Sequence, residues 1–219
     1  MPLLESPPEQ LIAQAIVPDV EHPTGTVVSP DAATLNITGG TPAGNNLFHS
    51  FEQFGLSQAQ TANFILANPN IQNVLSRVVG GEVSLIDGIL QVTGGDANLF
   101  LMNPSGVIFG PNAQLTLPAN LTVTTADGIL LGDTLLGEQW FNAVGSNDYA
   151  TLVGTPSGFG FVTPSDAGVA GGPLGGIANA GNLSLQSGDL VLVGDTVINT
   201  GEISADGGRL IITTVPNEN

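Results

Sequence analysis

The C-terminal part of the chain repeats every 20 residues, and this repeat limits the possible folds more than any other feature. Residues 177–184 (Ile-Ala-Asn-Ala-Gly-Asn-Leu-Ser) align with residues 197–204 (Val-Ile-Asn-Thr-Gly-Glu-Ile-Ser), and residues 188–191 align with 208–211 at the same offset. Each period contains several short apolar runs separated by turn residues. A short period of this kind indicates a solenoid, in which every coil stacks on the one before it.

The apolar runs within each period predict strands and not helices. Leucine-rich repeats have a similar length, but their leucine and asparagine spacing is missing here. The sequence therefore predicts an all-β chain folded as a right-handed parallel β-helix, with an N-terminal cap and extra-helical β-hairpins. In such a stack Asn179 lies over Asn199, and we expect their side chains to form a hydrogen-bonded ladder at a turn. Thirty glycines and only 10% charged residues agree with a turn-rich β protein.

Composition shifts divide the chain into a short lead-in and one domain. The proline-rich residues 1–30 are predicted to be a loose lead-in after a signal-peptide region, and residues 31–219 to form the β-helix. Within the domain, 126–176 interrupts the strand pattern and is predicted to be an excursion followed by a flexible glycine-rich loop. Residues 177–215 are predicted to be regular coils of 20 residues. The segment 57–66 fits either a short helix or an extended strand.

The charge balance excludes some partners. Nineteen acidic residues face only two basic ones, Arg77 and Arg209, which gives a net charge of −17. Such a chain repels nucleic acid and anionic lipid. No apolar run approaches the length of a transmembrane segment, so we predict no stable membrane insertion. Arg77 is expected to have a structural role by pairing with a nearby carboxylate, the candidates being Glu52, Glu82 and Asp87.

The sequence offers no convincing catalytic or metal site. His49 is followed by Ser50, but neighbouring strand residues point to opposite faces and cannot readily act as base and nucleophile. We therefore predict a structural role for His49. The two histidines lack metal-ligand spacing, and we predict neither a metal nor a cofactor. A carbohydrate-active enzyme would need clustered acids and a cationic group, which two arginines hardly supply. We predict that the protein is not an enzyme.

Two Asn-Pro turns are the most distinctive motifs, at Asn68-Pro69-Asn70-Ile71 and Asn103-Pro104-Ser105-Gly106-Val107. In the second, Asn, Pro and Gly suit the first, second and fourth positions of a type I turn. Together with 46–51 and 77–81, the motifs form an ordered set across residues 25 to 125. This set resembles the two-partner secretion (haemagglutination activity) N-terminal domain of filamentous haemagglutinin-like exoproteins, in its cyanobacterial form. Ile71 replaces the usual leucine of the first motif, and Ser105 replaces the usual asparagine of the second.

The resemblance implies a function in export. It implies a secretion-targeting domain of a large exoprotein or adhesin, recognised at the two Asn-Pro turns by the periplasmic domains of a partner outer-membrane pore. It also implies that the domain nucleates β-helix folding outside a Gram-negative-type bacterium, as a monomer that is secreted or held at the cell surface. A C-terminal passenger is expected to follow Asn219.

Other readings of the residues stay open. A folding role for the turns is compatible with recognition, since a turn that forms badly would also block export. A glycan-binding or host-protein-binding adhesin module is the alternative function. A β-helical carbohydrate-active enzyme ranks below it.

Overall fold

The computed structural model describes residues 15–132, 137, 139–161 and 175–215. These residues contain no α-helix and one 3₁₀ turn, Tyr149–Thr151. The remaining elements are strands: β1 Ile16–Pro18, β2 Val27–Asp31, β3 Thr34–Thr38, β4 Thr41–Ala43, β5 Asn46–Phe54, β6 Thr61–Ile65, β7 Asn73–Val78, β8 Ser84–Ile86, β9 Ile89–Thr93, β10 Asn98–Met102, β11 Val107–Phe109, β12 Gln114–Thr116, β13 Leu121–Thr124, β14 Gly128–Leu131, β15 Gln139–Asn142, β16 Pro156–Gly160, β17 Ile177–Asn179, β18 Asn182–Leu185, β19 Leu190–Gly194, β20 Val197–Asn199, β21 Glu202–Ala205 and β22 Leu210–Thr214.

Three stacks of parallel strands run along the molecule. Sheet A contains β5, β7, β10, β13, β19 and β22, sheet B contains β3, β6, β9 and β12, and sheet C contains β8, β11, β17 and β20. A further parallel pair, β18 and β21, takes the place of sheet B in the last two coils. The chain passes from sheet A to C to B and back to A, as in β7, β8, β9 and β10. The predicted all-β parallel β-helix is therefore confirmed.

The coils shorten along the chain. Asn46 and Asn73, which begin successive sheet A strands, are 27 residues apart, and Asn73 and Asn98 are 25 apart. In the last coils Ile177 pairs with Val197, and Asn182 with Glu202, which is the 20-residue offset of the sequence repeat. The early coils are longer because their corners carry wider turns.

The interior of the helix is filled by columns of apolar side chains. Leu47, Val74, Leu99, Leu121 and Leu190 are register partners in sheet A, and none is more than 8% exposed. Equivalent positions stack because parallel strands about 4.8 Å apart repeat the same inward face. Burial of such columns from all the sheets stabilises the coils.

A second core forms on the outer face of sheet A. Strands β14, β15 and β16 make an antiparallel sheet outside the coil, sheet D, within the predicted excursion. Sheet D packs on sheet A through a buried cluster that includes Phe48, Met102 and Phe141, and the rings of Phe48 and Phe141 lie 5.0 Å apart. The glycine-rich loop predicted before Ile177 lies mostly outside the described residues.

The structure differs from the loose lead-in predicted for residues 1–30. Residues 1–14 lie outside the described residues, whereas 15–30 are held in place by two strands. β1 pairs antiparallel with β5, and β2 pairs antiparallel with β3. These strands cover sheet edges that would otherwise be free at the first coil, which explains why a proline-rich segment is ordered there. In the ambiguous segment 57–66, a turn closed by the Gln60 N–H on the Ser57 carbonyl leads into the strand β6, and no helix forms.

Candidate functional site

The first Asn-Pro turn lies between β6 and β7, at the corner where the chain enters sheet A. The side-chain oxygen of Asn68 accepts the Asn70 N–H at 3.0 Å, and the Asn68 carbonyl accepts the Ile71 N–H at 3.2 Å. Asn68, Pro69 and Asn70 are exposed, while Ile71 is buried in the interior core. The turn is thus anchored by Ile71 and presents its polar residues to solvent.

The second Asn-Pro turn lies between β10 and β11 and is built around a fully buried side chain. The Asn103 Nδ2 donates to the Glu82 carbonyl and to Ser84 Oγ, both at 2.9 Å, and its Oδ1 accepts the Ser105 N–H at 2.9 Å. The Gly106 N–H also donates to the Asn103 carbonyl at 3.0 Å. Asn103 therefore connects this turn to the preceding coil, and its amide is not available to a partner.

The later chain also covers this second turn. Gly175 packs against Pro104 so closely that a Cβ on Gly175 would overlap the Pro104 carbonyl oxygen. The Val107 N–H donates to the Gly176 carbonyl at 3.0 Å. Pro104 and Ser105 are only partly exposed, and Val107 is fully buried. Of this motif, only the Pro104-Ser105 edge reaches solvent.

The structure does not bring the two turns together. The first precedes β7 and the second follows β10, and these strands are neighbours in sheet A. The turns therefore lie at opposite ends of these strands. The length of a five-residue strand, about 17 Å, separates them. A partner that contacts both must span the sheet.

An asparagine ladder runs beside the first turn, and the sequence reasoning missed it. The Nδ2 of Asn73 donates to the Oδ1 of Asn46, and the Nδ2 of Asn98 donates to the Oδ1 of Asn73, both at 2.9 Å. The Asn98 Oδ1 also accepts the Asn120 N–H at 3.3 Å. The signal was present in the sequence, since each of these asparagines is followed by an apolar residue at the start of a sheet A strand.

Asn179 and Asn199 form a second ladder at the corner that follows sheet C. The Nδ2 of Asn179 donates to the Oδ1 of Asn199 at 2.8 Å. Asn179 is 2% exposed, and its Oδ1 accepts the Gly181 N–H of its own turn. Asn199 is exposed on the outermost described coil. The pair holds two successive corners in register.

Arg77 is fully buried between sheet A and the excursion. Its Nε donates to Ser50 Oγ at 2.8 Å, and its Nη1 donates to the carbonyls of Asn142 and Gly145 at 3.0 and 2.7 Å. Its Nη2 lies 3.7 Å from Asp19 Oδ2. A single guanidinium thereby connects the N-terminal cap, two neighbouring strands of sheet A and the excursion.

The expected partners of Arg77 were wrong. The acid that faces it is Asp19, and none of Glu52, Glu82 and Asp87 forms an ion pair with it among the described residues. Its side chain points away from the coil interior, like that of Leu75 two residues earlier, so it meets the cap and the excursion. Sequence distance hid this pair, because Asp19 belongs to the segment predicted to be loose.

Asp19 is held in its charged form despite burial. Burial raises the pKa of its carboxyl. The N–H groups of His22 and Glu21, the Ser50 hydroxyl and the Arg77 charge outweigh that effect and hold the pKa below its ordinary value. Burial lowers the pKa of Arg77, opposed by Tyr149 and Asp19, and a guanidinium stays protonated in proteins. The cluster is therefore an ion pair at neutral pH.

His49 is an interior side chain without a catalytic partner. Its Nδ1 is hydrogen-bonded to Thr26 Oγ1 at 2.9 Å, and its ring contacts Phe64. Burial lowers the pKa of His49 to about 4, so the ring is neutral at pH 7. The Ser50 hydroxyl lies on the other face of β5 and donates to Asp19. Among the described residues, no group of three or more metal-ligating side chains could hold a metal ion.

Comparison with known proteins gives the family context. The model of the TPS secretion domain family matches residues 14–219. The comparison with curated proteins gives no match. Among solved structures, the HMW1 secretion domain from Haemophilus influenzae aligns with a TM-score of 0.55 at 21% identity, over 91% of this chain and 44% of that one. A filamentous hemagglutinin secretion domain aligns with a TM-score of 0.43 at 17% identity, over 91% of this chain and 99% of that one.

Proposed function

Since the chain belongs to the TPS secretion domain family, we propose that it directs a large exported protein to a partner pore in the outer membrane. The periplasmic domains of that pore are the recognising surface, and the exported protein reaches the exterior or the cell surface of a Gram-negative-type bacterium. The family is a secretion domain family and not a catalytic one. No helix among the described residues is both long and apolar enough to cross a membrane.

The observation that carries the recognition role is the contrast between the two Asn-Pro turns. The first presents Asn68, Pro69 and Asn70 to solvent on a buried Ile71 anchor, as a recognition turn should. The second uses Asn103 entirely within the fold. We therefore assign partner contact mainly to the first turn and folding mainly to the second. The exposed edge at Ser105 adds at most a minor contact.

The coil architecture supports a role in folding outside the cell. The last described strand of sheet A leaves Leu210 and Ile212 each 45% exposed, while Leu190 and Leu192, which pair with them, are fully buried. A further coil stacked there would bury both side chains. Because the stability of a solenoid is nearly a sum of contacts between neighbouring coils, a folded first domain favours each added coil. Growth of this kind would draw a passenger outward.

An export assay separates recognition from folding. Asn68→Ala and Asn103→Ala are expressed with the cognate pore, and secreted protein is measured together with the urea midpoint of the purified domains. Asn68→Ala should reduce secretion while leaving the midpoint within experimental error. Asn103→Ala should lower the midpoint, because it leaves buried groups unpaired at a cost of about 1–3 kcal/mol each. Asn45→Ala, in another exposed turn, is the matched control. Normal secretion of Asn68→Ala would refute the recognition role.

One observation favours a glycan-binding module as the second candidate. Trp140 in β15 lies across Gly160 of sheet D, where a Cβ on Gly160 would come within 2.8 Å of the indole, and the side chain is 37% exposed. An aromatic ring lying on a sheet with an open face can stack on a sugar ring. A glycan array with wild-type protein and Trp140→Ala tests this, and binding lost in the variant would support it.

A further inference from the structure

Three parts of the chain, remote in sequence, enclose an open cleft beside the buried Asp19–Arg77 pair. The lead-in contributes Val17, Val20 and Glu21, and the excursion contributes Val144. Glu52 of β5 and Val79, the residue after β7, complete the cleft. We call this site the valine cleft. Its volume of about 530 Å³ falls within the range of ligand pockets in proteins.

The valine cleft is open to solvent and combines exposed apolar side chains with polar ones. Val20 is 84% exposed and Val144 is 68% exposed, the two highest values for large apolar side chains among the described residues. Val17, on the same cleft, is 38% exposed. Exposed apolar side chains gathered on a concave surface mark an interaction site more often than the same side chains scattered singly. Covering these valines would remove apolar area from water and favour binding.

The charge of the cleft indicates the occupant. Its titratable side chains are Glu21, Glu52 and His22, and the His22 Nδ1 lies 3.7 Å from Asp19 Oδ2. Glu52 lies against Gly80, where a Cβ would be 2.9 Å from Oε1. The chain has two basic residues and both are engaged, Arg77 with Asp19 and Arg209 with Asp189. Neither lines the cleft, and the whole chain carries a net charge of −17. An anionic partner would be repelled, whereas a cationic group beside an apolar one would be complementary.

We propose that the valine cleft docks a polypeptide segment in which a lysine or arginine is flanked by aliphatic side chains. The aliphatic groups pack between Val20 and Val144, and the cation faces Glu21 and Glu52. The cleft exists only when lead-in, coil and excursion have come together. It is therefore a surface of the folded domain, separate from the Asn68 turn, and the inference goes beyond the export function.

The test uses the whole chain and a defined probe. The probe is an acetylated and amidated five-residue peptide of alternating leucine and lysine, and a second peptide carries glutamate in place of lysine. Binding is measured by calorimetry and located by methyl NMR. Variants Val20→Ser and Glu52→Gln change the cleft, and Val153→Ser, at a valine that is 59% exposed away from it, is the control.

The lysine peptide should shift the methyl signals of Val20 and Val144, and the glutamate peptide should shift neither. Val20→Ser and Glu52→Gln should each weaken binding by about fivefold or more, and Val153→Ser should not. Shifts spread over the whole acidic surface, or equal affinity in Val20→Ser and wild type, would overturn the proposal. The Asn68→Ala variant should bind the lysine peptide as wild type does, which keeps this test apart from the export test.

Discussion

Replacing Arg77 with methionine should destabilise the domain more than any exposed substitution. The change removes three hydrogen bonds, to Ser50, Asn142 and Gly145, and leaves Asp19 buried without its cation. Breaking one side of a buried ion pair costs about 3–5 kcal/mol. Asp19 keeps its bonds from Glu21, His22 and Ser50, which places the expected loss near the lower end, at about 3 kcal/mol.

Urea unfolding followed by circular dichroism measures this loss. With a slope of about 2–3 kcal/mol/M, the midpoint of Arg77→Met should fall by about 1 M or slightly more. The matched control is Arg209→Met, because Arg209 pairs with Asp189 while its side chain is 76% exposed. That variant should unfold near the wild-type midpoint, since exposed ion pairs contribute little.

A double substitution separates the pair from the other bonds of Arg77. Asp19→Asn removes the buried charge, so the combined variant should lose less stability than the sum of the two single changes. Equal urea midpoints for Arg77→Met and Arg209→Met would show that the buried arginine contributes no more to stability than the exposed one. Strict additivity of Asp19→Asn and Arg77→Met would show that the ion pair contributes nothing beyond its separate hydrogen bonds.

Three further predictions concern pH and the ladders. The pKa of Asp19 is lowered on folding, so its contribution to stability is present above the unfolded value of 3.8 and is lost as the pH falls through the lower folded value. Between about pH 5 and pH 2, the urea midpoint should therefore fall more for wild type than for Asp19→Asn. The pKa of His49 also falls on folding, from 6.5 to about 4, so the free energy of unfolding should decrease by about 2 kcal/mol from pH 7 to pH 5. NMR titration of the folded protein should give a His49 pKa near 4, and a value near 6.5 would contradict its burial. Asn73→Ala leaves the Asn46 Oδ1 and the Asn98 Nδ2 without their Asn73 partner, so the free energy of unfolding in urea should fall by about 2 kcal/mol. Asn199→Ala should lower it by less than about 1 kcal/mol because Asn199 is exposed, and equal losses would contradict the ladder.

Much of the fold could be predicted from the sequence because successive coils of a solenoid repeat the same strand pattern. The 20-residue offset between residues 177–184 and 197–204 is the pairing of β17 with β20 and of β18 with β21. The regular strand alternation of the sequence also lapses between residues 126 and 177, where the structure has antiparallel strands β14, β15 and β16 outside the coil. Strand alternation likewise separated the side chains of His49 and Ser50 onto opposite faces of β5.

Contacts between segments remote in sequence could not be predicted. Asp19 and Arg77 are 58 residues apart, and nothing local indicates that the lead-in returns to cover sheet A. The long early coils hid the asparagine ladder, because spacings of 27 and 25 residues do not match the later period of 20. The motifs at Asn68 and Asn103 looked equivalent in sequence. Only their burial, which depends on the neighbouring coil, distinguishes them.

Export of a fused reporter measures directly whether this domain targets a protein for secretion. The reporter is a β-helical passenger that cannot leave the periplasm unaided, attached after residue 219 and expressed with or without the cognate outer-membrane pore. The passenger should reach the medium only when both this domain and the pore are present, and Asn68→Ala should retain it in the periplasm. Release without the pore, or equal release without the domain, would contradict a secretion-targeting function.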